Sequence, residues 1–126
     1  LDLRAAIDLP LLLHPGDHYL FPTGLRIGLP PGYEAQVRPR SGLACEHGLS
    51  VLNTPGTIDA DYRGEIHVDL VNHGSKPFRV ECGMRIAQLV VMPIPPIMFE
   101  PRTPAEWSEM DYTERGTAGF GSTGDE

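Results

Sequence analysis

The feature that most constrains the fold of this chain is the frequency of backbone breaks, because its 126 residues include 14 glycines and 13 prolines. Proline lacks the N–H group that a helix interior needs, and glycine weakens helices, so these residues leave little room for long helices. Between the breaks, apolar and polar residues alternate over short segments, which is typical of strands with one buried face. The sequence therefore predicts an all-β fold, either a sandwich or a jelly roll.

Particular segments carry this alternation. In EIHVDLVNHG, the apolar residues 66, 68 and 70 fall on one face and the polar residues 65, 67 and 69 on the other. The turn-like stretch NHGSKP follows, and a second alternation at Phe78, Val80 and Cys82 then predicts a β-hairpin. The segment GYEAQVRP alternates in the same way, and SGLACEHG is the one place where a short helix is expected.

Two segments depart from plain sheet. In RIAQLVV, strict alternation places Gln88 on the same face as Ile86 and Val90. Either this amide is buried with hydrogen-bond partners, or the strand is an edge strand and the amide is exposed to solvent. The segment VLNTPGTIDADYRGE is expected to be a long polar loop, and it carries more charge than a turn requires: Asp59, Asp61, Arg63 and Glu65.

Length and charge restrict the class of protein. A chain of this length forms one small domain, and it contains neither an apolar run that could span a bilayer nor a signal-peptide pattern, so we expect a soluble, cytoplasmic protein without a membrane partner. The net charge of −7 disfavours stable nucleic-acid binding. Nine of the ten basic residues are arginines, the side chain best suited to gripping phosphate. The chain begins at Leu1 without an initiator methionine, and we expect earlier residues to be missing or processed.

The cysteines and two of the histidines are interpreted as structural residues and not as metal ligands. Cys45 and Cys82 show no metal-binding spacing, so free structural thiols are favoured over a disulfide or a metal site. His14 and His18 have the i, i+4 spacing of helical zinc ligands, but the Pro-Gly pair between them excludes that helix. We expect both histidines to be turn residues.

Near the end of the chain, GFGSTG matches the dinucleotide fingerprint G-x-G-x-x-G, but the strand before it and the helix after it are missing. What remains is a segment rich in phosphate-binding groups, with glycine N–H groups, the hydroxyls of Ser122 and Thr123 and the guanidinium of Arg115. Terminal segments of this composition are usually disordered. Phe120 argues against that interpretation, because a large aromatic side chain is out of place in a polar tail unless the tail folds over something.

Five strings occur in order along the chain: LDLRAA, PRSGLA, GTIDADYRGE, GMRIAQL and RGTAGFGSTG. Together they strongly resemble the five motifs of the homotrimeric dUTP diphosphatases (dUTPases), and the resemblance covers essentially the whole chain. It implies a jelly-roll homotrimer that hydrolyses dUTP to dUMP and pyrophosphate with Mg²⁺, by water attack at the α-phosphate. It also implies sites shared between subunits. Such an enzyme keeps uracil out of DNA and supplies dUMP for thymidylate synthesis.

The resemblance also assigns roles to residues. Asp59 matches the catalytic carboxylate that activates water, although sequence alone cannot separate it from Asp61. Tyr62 matches the residue that packs beneath the sugar and excludes a 2′-hydroxyl, and Asn53 matches a position that reads the uracil edge. The triphosphate-binding positions are matched by Arg40, Ser41, Gly42 and Gln88. A ligand at these positions would satisfy the amide of Gln88.

The two ends of the chain complete the implied site. Asp2 matches the carboxylate that holds, through water, a magnesium ion carried by the triphosphate. Residues 1–110 would form the jelly-roll domain and residues 111–126 a mobile arm that closes over the nucleotide bound by a neighbouring subunit. In that arm the nucleotide-binding positions are Arg115, Phe120, Gly121, Ser122 and Thr123, with the arginine at the γ-phosphate and the phenylalanine on the uracil.

Two other functions remain open at this stage. One is a dCTP deaminase, or a bifunctional deaminase and diphosphatase, on a similar fold, which would need different residues around the base. The other is a dUTPase-like binding protein that senses nucleotide without turnover. The intact IDADYRGE and closing motif favour the diphosphatase.

Overall fold

The computed structural model describes residues 1–110, 113–114 and 116–117 of the chain. Its elements, in order, are β1 (Asp2–Arg4), β2 (Leu11–Leu13), β3 (His18–Pro22), β4 (Tyr33–Arg38), α1 (Ser41–His47), β5 (Leu49–Val51), β6 (Gly56–Ile58), β7 (His67–Asn72), β8 (Phe78–Val80), β9 (Arg85–Pro93) and α2 (Pro104–Ser108). The predicted all-β class is confirmed. Both helices are short, and no helix among the described residues is long and apolar enough to cross a membrane.

The strands form three antiparallel sheets, ordered β1-β9-β4-β6, β3-β7-β5 and β2-β8. Their inward faces build one hydrophobic core, whose largest fully buried side chains include Phe21, Leu3 and Leu70. The alternation read from the sequence accounts for much of this core. Residues 66, 68 and 70 are all buried whereas residues 65, 67 and 69 are not, as predicted. The result is a jelly-roll-like sandwich.

The predicted hairpin between β7 and β8 is wrong. Both edges of β7 are already paired, one with β3 and the other with β5, so β8 pairs with β2 instead. The turn NHGSKP therefore joins strands of two different sheets. The segment after Val51 also differs from the expected continuous loop, because β6 forms within it and pairs with β4.

The strand β9 explains the position of Gln88. It lies between β1 and β4 and is not an edge strand. Its register against β1 shifts at a β-bulge, so that Leu3 faces Ala87 but Arg4 faces Arg85. As a result Ile86 joins Ala87 in the core, and Gln88 lies on the opposite, half-buried face. The prediction that Gln88 shares a face with Ile86 is therefore wrong, because the bulge interrupts the alternation.

The predicted helix at SGLACEHG is confirmed as α1. It ends at His47, and the capping residue Gly48 that follows has a φ of 70°, the left-handed conformation that glycine adopts readily at a helix end. The expectation that His14 and His18 are both turn residues is half right. His14 precedes the turn that leads to Asp17, whereas His18 begins β3 and pairs with Asp69 at 2.8 Å. Both cysteines are free thiols, as predicted.

The chain divides into two compact units, Leu1–Pro96 and Ile97–Glu126. The second unit contains α2, which was not predicted although TPAE contains a capping box. Thr103 Oγ1 accepts from the Glu106 N–H at 3.3 Å, and the Thr103 N–H donates to the Glu106 carboxylate at 2.7 Å. The bond from the Thr103 backbone, helped by its hydroxyl, lowers the pKa of Glu106. The cap is therefore strongest above the ordinary glutamate pKa and weakens as the pH falls through the lowered one.

The proposed domain boundary at residue 111 falls on a residue outside the described ones and stays a prediction.

We predict that Asn72→Ala destabilises the fold by about 2–4 kcal/mol, because it leaves buried polar groups without partners. Asn72 is fully buried, and its Nδ2 donates to the carbonyl oxygens of Leu13 and Lys76, both at 2.9 Å. Its Oδ1 accepts from the Gly74 N–H at 2.9 Å. Urea unfolding measures the change. Ser50→Ala, which removes a long hydroxyl contact of 3.5 Å, is the control and should change the free energy of unfolding by much less.

Candidate active site

A cavity of about 320 Å³ opens beside the end of β6. Asp59 lies on its wall immediately after β6, with an exposed side chain. The carbonyl oxygen of Asp59 accepts from the Tyr62 N–H at 3.1 Å, which closes a tight turn over residues 59–62. This turn places the carboxylate of Asp59 and the ring of Tyr62 on the same cavity. The volume is at the lower end of the range for small-molecule sites, about 300–1,000 Å³.

The ring of Tyr62 folds back over the chain that follows it. Its hydroxyl donates to the carbonyl oxygen of Glu65 at 2.8 Å. Between these residues lies Gly64, where an added Cβ atom would collide with the Tyr62 ring and hydroxyl. Glycine is therefore required by this close approach, and it allows the local chain to fix the ring. The other end of the loop is anchored at Glu65, whose carboxylate accepts from the Gly24 N–H at 2.8 Å.

Asn53 and Asp59 flank the two ends of β6. The Asn53 amide lies against Gly56, where an added Cβ would be 3.3 Å from its Nδ2. A strand of three residues spans about 10 Å, so β6 sets a short, fixed spacing between the amide and the carboxylate. Since β6 pairs with β4 over residues 35–37, this spacing is anchored in the four-stranded sheet.

A second group of the predicted residues lies on the outward face of that sheet. Asp2 on β1 and Arg38 on β4 both lie directly opposite Gln88 on β9, so three polar side chains follow one another across neighbouring strands. The Gln88 Nε2 donates to the carbonyl oxygen of Pro39 at 2.9 Å. The protein itself therefore supplies one partner for this amide, and a ligand is not needed to satisfy that N–H.

The carboxylate of Asp2 lies between two guanidinium groups. Its Oδ1 is 3.5 Å from Nε of Arg40, and its Oδ2 is 3.3 Å from Nη1 of Arg85. Arg40 also donates from Nη1 to the main-chain carbonyl oxygen of Arg85 at 3.2 Å. Each of these side chains keeps about a third or more of its surface in water, so the ion pairs add little to stability. Their main effect is to orient the three charged groups.

Arg40 is followed directly by α1, which carries the next two predicted residues. Ser41 and Gly42 form its first turn, and both are exposed. Among the described residues no side chain caps this end of α1. A Cβ atom added at Gly42 would meet nothing within 4 Å, so packing within the described part of the chain does not require a glycine there.

The structure thus brings the predicted site residues together in two groups. Asp59 and Tyr62 line one cavity, and Asn53 lies beside the opposite end of β6, next to Gly56. Asp2, Arg40 and Gln88 share the sheet face beside Ser41 and Gly42. None of the second group lines the cavity of the first. The predicted residues Arg115, Phe120, Gly121, Ser122 and Thr123 lie outside the described residues. Within the described part of the chain, no three His, Cys, Asp or Glu side chains form a metal-binding cluster.

Sequence reasoning missed three residues near these groups. Leu20 and His67 line the cavity with Asp59, and Arg85 contacts Asp2. Leu20 and His67 are brought to the cavity by the pairing of β3 with β7, which local patterns did not reveal. Arg85 was visible within GMRIAQL, but its outward direction depends on the β-bulge.

Three comparisons with known proteins bear on the family and the fold of this chain. Residues 1–124 match the profile of the dUTPase family. A protein of Maricaulis maris (strain MCS10), named deoxyuridine 5'-triphosphate nucleotidohydrolase, is 54% identical over 129 residues, covering 98% of this chain and 80% of that relative. The crystal structure of a dUTPase from Streptococcus mutans is 29% identical, with a TM-score of 0.69 over 78% of this chain and 80% of that chain.

A third comparison concerns the fold alone. The dUTPase of Staphylococcus bacteriophage 80alpha, solved with dUpNHpp, is 24% identical and has a TM-score of 0.77. The match covers 98% of this chain and 84% of that chain. The all-β fold of this chain is thus shared with dUTPases of known structure. The chain belongs to the dUTPase family, and its reaction is the hydrolysis of dUTP to dUMP and pyrophosphate.

We predict that Gly64→Ala weakens discrimination between dUTP and UTP, because the added methyl group displaces the Tyr62 ring. The ratio of kcat/KM for the two nucleotides should fall by about tenfold or more, as expected when one steric contact worth about 1–3 kcal/mol is lost. Gly28→Ala is the matched control, since a Cβ there meets nothing within 4 Å. An unchanged ratio in Gly64→Ala would contradict a role for the Tyr62 ring in sugar selection.

Proposed function

We propose that Asp59 activates the water that attacks the α-phosphate of dUTP. The observation that carries this proposal is the position of Asp59, exposed on a cavity wall and held by a hydrogen-bonded turn. A carboxylate is an adequate base at neutral pH, and the attacking water must lose a proton as the new P–O bond forms. The α-phosphate then separates from the pyrophosphate, which leaves with the bridging oxygen.

Tyr62 and Asn53 are proposed to recognise the nucleoside. The flat Tyr62 ring beneath the deoxyribose would leave no room for a 2′-hydroxyl, and its hydrogen bond to Glu65 supports a fixed ring position. The Asn53 amide offers a donor and an acceptor together, as the imide edge of uracil requires. Gly56 supports this role, because it leaves space for the Asn53 amide at the end of β6.

The triphosphate is proposed to lie on the sheet face that carries Arg40 and Gln88. Arg40 would donate to phosphate oxygens, and the hydroxyl of Ser41 and the main chain of Gly42 would add further donors. Gln88 retains a second N–H and a carbonyl oxygen beyond its bond to Pro39. Lack of a side chain at Gly42 would let a phosphate approach the backbone closely.

Asp2 is proposed to hold, through water, a magnesium ion that arrives with the triphosphate. Mg²⁺ usually keeps several waters and takes few protein ligands, so a single partly exposed carboxylate fits this role. The neighbouring Arg40 and Arg85 give the three side chains a combined charge of +1, which disfavours a free divalent cation but favours an anionic complex of metal and triphosphate. When bound, the ion would neutralise phosphate charge.

The assembly is proposed to be a homotrimer with sites shared between subunits. Two observations support it. The cavity with Asp59 and the face with Arg40 are separate groups within one chain, so a second chain is a natural source for the missing half. Several large apolar side chains on the sheets are also exposed, including Leu20 at 56% and Val91 at 52%, which is typical of surfaces that contact a partner.

Residues 111–126 are proposed to be the arm that closes the site of a neighbouring subunit. In this arm Arg115 would meet the γ-phosphate and Phe120 would stack on uracil, with Gly121, Ser122 and Thr123 donating to phosphates. The sequence RGTAGFGSTG supports the proposal through its phosphate-binding groups. We also propose a cytoplasmic location without stable nucleic-acid binding, supported by the free thiols and the net charge of −7.

Asp59→Asn should lower kcat for dUTP by about two to four orders of magnitude, the range for loss of a general base, with nucleotide binding retained. Steady-state pyrophosphate release from dUTP measures the rate. Release of ammonia from dCTP, measured separately, tests for deaminase activity. Asp61→Asn is the matched control on the same turn. A large loss of kcat in Asp61→Asn with none in Asp59→Asn would assign the general base to Asp61. If the wild-type chain released no pyrophosphate from dUTP, the hydrolytic activity itself would be contradicted.

A mixture of two inactive chains tests the shared site. One chain carries Asp59→Asn and the other is truncated before Arg115. When they are co-expressed in equal amounts, about a quarter of wild-type activity should return, because each site draws an intact loop from one subunit and an intact arm from another, each with a chance of about one half. Mass measurement must first show that mixed trimers formed. Mixed trimers at background activity would mean that loop and arm come from the same chain.

A further inference from the structure

Arg85 lies on the outward face of β9 because of the β-bulge. Without that bulge, the side chains would alternate from Gln88 outward to Ala87 inward, and Arg85 would point into the core. The bulge instead buries Ile86 and Ala87 in succession and leaves Arg85 exposed. Arg85 consequently shares a face with Asp2, which lies opposite Gln88. A bulge beside a site commonly redirects a side chain in this way.

Arg85 contacts Asp2 and Arg40, which lie on the same face of the sheet. Its Nη1 lies 3.3 Å from Asp2 Oδ2, and its main-chain carbonyl oxygen accepts from Arg40 Nη1 at 3.2 Å. The second Asp2 oxygen, Oδ1, is 3.5 Å from Arg40 Nε. Both distances to the Asp2 carboxylate are longer than the usual range of about 2.7–3.2 Å, but the Arg85 contact keeps the geometry of a hydrogen bond, whereas the Arg40 Nε contact is an ion pair only. One oxygen of Asp2 is therefore held by Arg85, and the other is more loosely held.

The other arginines nearby are engaged elsewhere. A groove of about 650 Å³ is lined by Arg4, Arg40, Arg79 and Arg85, among others. Arg4 donates to the carbonyl oxygen of Gly83 at 2.7 Å, and Arg79 pairs with the carboxylate of Glu81. Arg79 therefore shares the groove and the charge of Arg85 but lacks its contact with Asp2.

We propose that Arg85 is a positioning residue, which fixes the carboxylate of Asp2 so that one oxygen remains available to the hydrated magnesium of the bound nucleotide. Its main-chain carbonyl holds Arg40 beside the same carboxylate, so the groups for metal and phosphate keep a constant spacing. The inference rests on the proposed roles of Asp2 and Arg40. Residues that orient a metal-binding side chain typically change metal affinity by about 10–100-fold when they are replaced.

Binding of dUpNHpp, measured by calorimetry with magnesium and with EDTA, tests the proposal without turnover. In magnesium, Arg85→Gln should raise the Kd by about tenfold to a hundredfold, and in EDTA it should change the Kd much less. Arg85→Lys should recover part of the loss, since an ammonium group can still pair with one carboxylate oxygen. Arg79→Gln, the matched control in the same groove, should bind as the wild type does.

A double-mutant cycle with Asp2→Asn shows whether Arg85 acts through Asp2. Once Asp2 is neutral, Arg85→Gln should have little further effect on the Kd in magnesium. Additive effects, equal losses in magnesium and EDTA, or wild-type binding by Arg85→Gln would each overturn the proposal. If thermal melting shows that Arg85→Gln does not fold, Arg85→Lys takes its place in the cycle. The effects of Arg85→Lys and Asp2→Asn on the Kd in magnesium should then be partly coupled. Purely additive effects of these two substitutions would overturn the inference.

The wild-type chain and Asp2→Asn distinguish this inference from the function on which it rests. Wild-type binding that does not respond to magnesium, or Asp2→Asn that behaves as wild type, contradicts the role of Asp2 and overturns the inference with it. Magnesium-dependent binding that is lost in Asp2→Asn but kept in Arg85→Gln contradicts the role of Arg85 alone.

Discussion

The pairing of β9 with β1 on one side and β4 on the other is the constraint on which the four-stranded sheet and its polar face with Asp2 and Gln88 depend. Antiparallel pairing places residues from three distant parts of the chain directly opposite one another. Asp2, Arg38 and Gln88 are brought together in this way, although most of the residues of the domain lie between Asp2 and Gln88 in the sequence. A register slip of one residue would turn Gln88 into the core, so burial of Ala87 and Leu89 fixes the outward face.

Sequence patterns predicted the fold where local rules decide it. Alternation identified the buried face of β7, and the segment SGLACEHG was correctly expected to contain a short helix. The failures have physical causes. The pairing of β8 with β2 follows from competition between strand edges, which a turn motif cannot report. The bulge in β9 depends on its fit to β1, so the face of Ile86 could not be read from alternation.

The candidate site divides in the same manner. The family resemblance of the motifs, and not the residue types alone, proposed which side chains carry the chemistry. The structure places Asp59 with Tyr62 because only a short turn separates them. The contact between Asp2 and Arg85 joins residues 83 positions apart, and nothing in either motif alone indicates it. The division of the described site residues into two groups also depends on strand pairing, so it could not be predicted from the motifs. The family resemblance implied only that each site contains residues from more than one subunit.

The fixing of the Tyr62 ring has a consequence for how this chain can change over time. The ring is held by Glu65 three residues later and by the bare backbone of Gly64 between them. Its position therefore depends directly on a few residues of one loop, whose two ends, Ile58 and Ile66, are buried in the core. With the sugar-selecting role proposed for this ring, a substitution at Gly64 alone would change substrate choice without removing any side chain from the core, so selectivity could evolve through a single loop position.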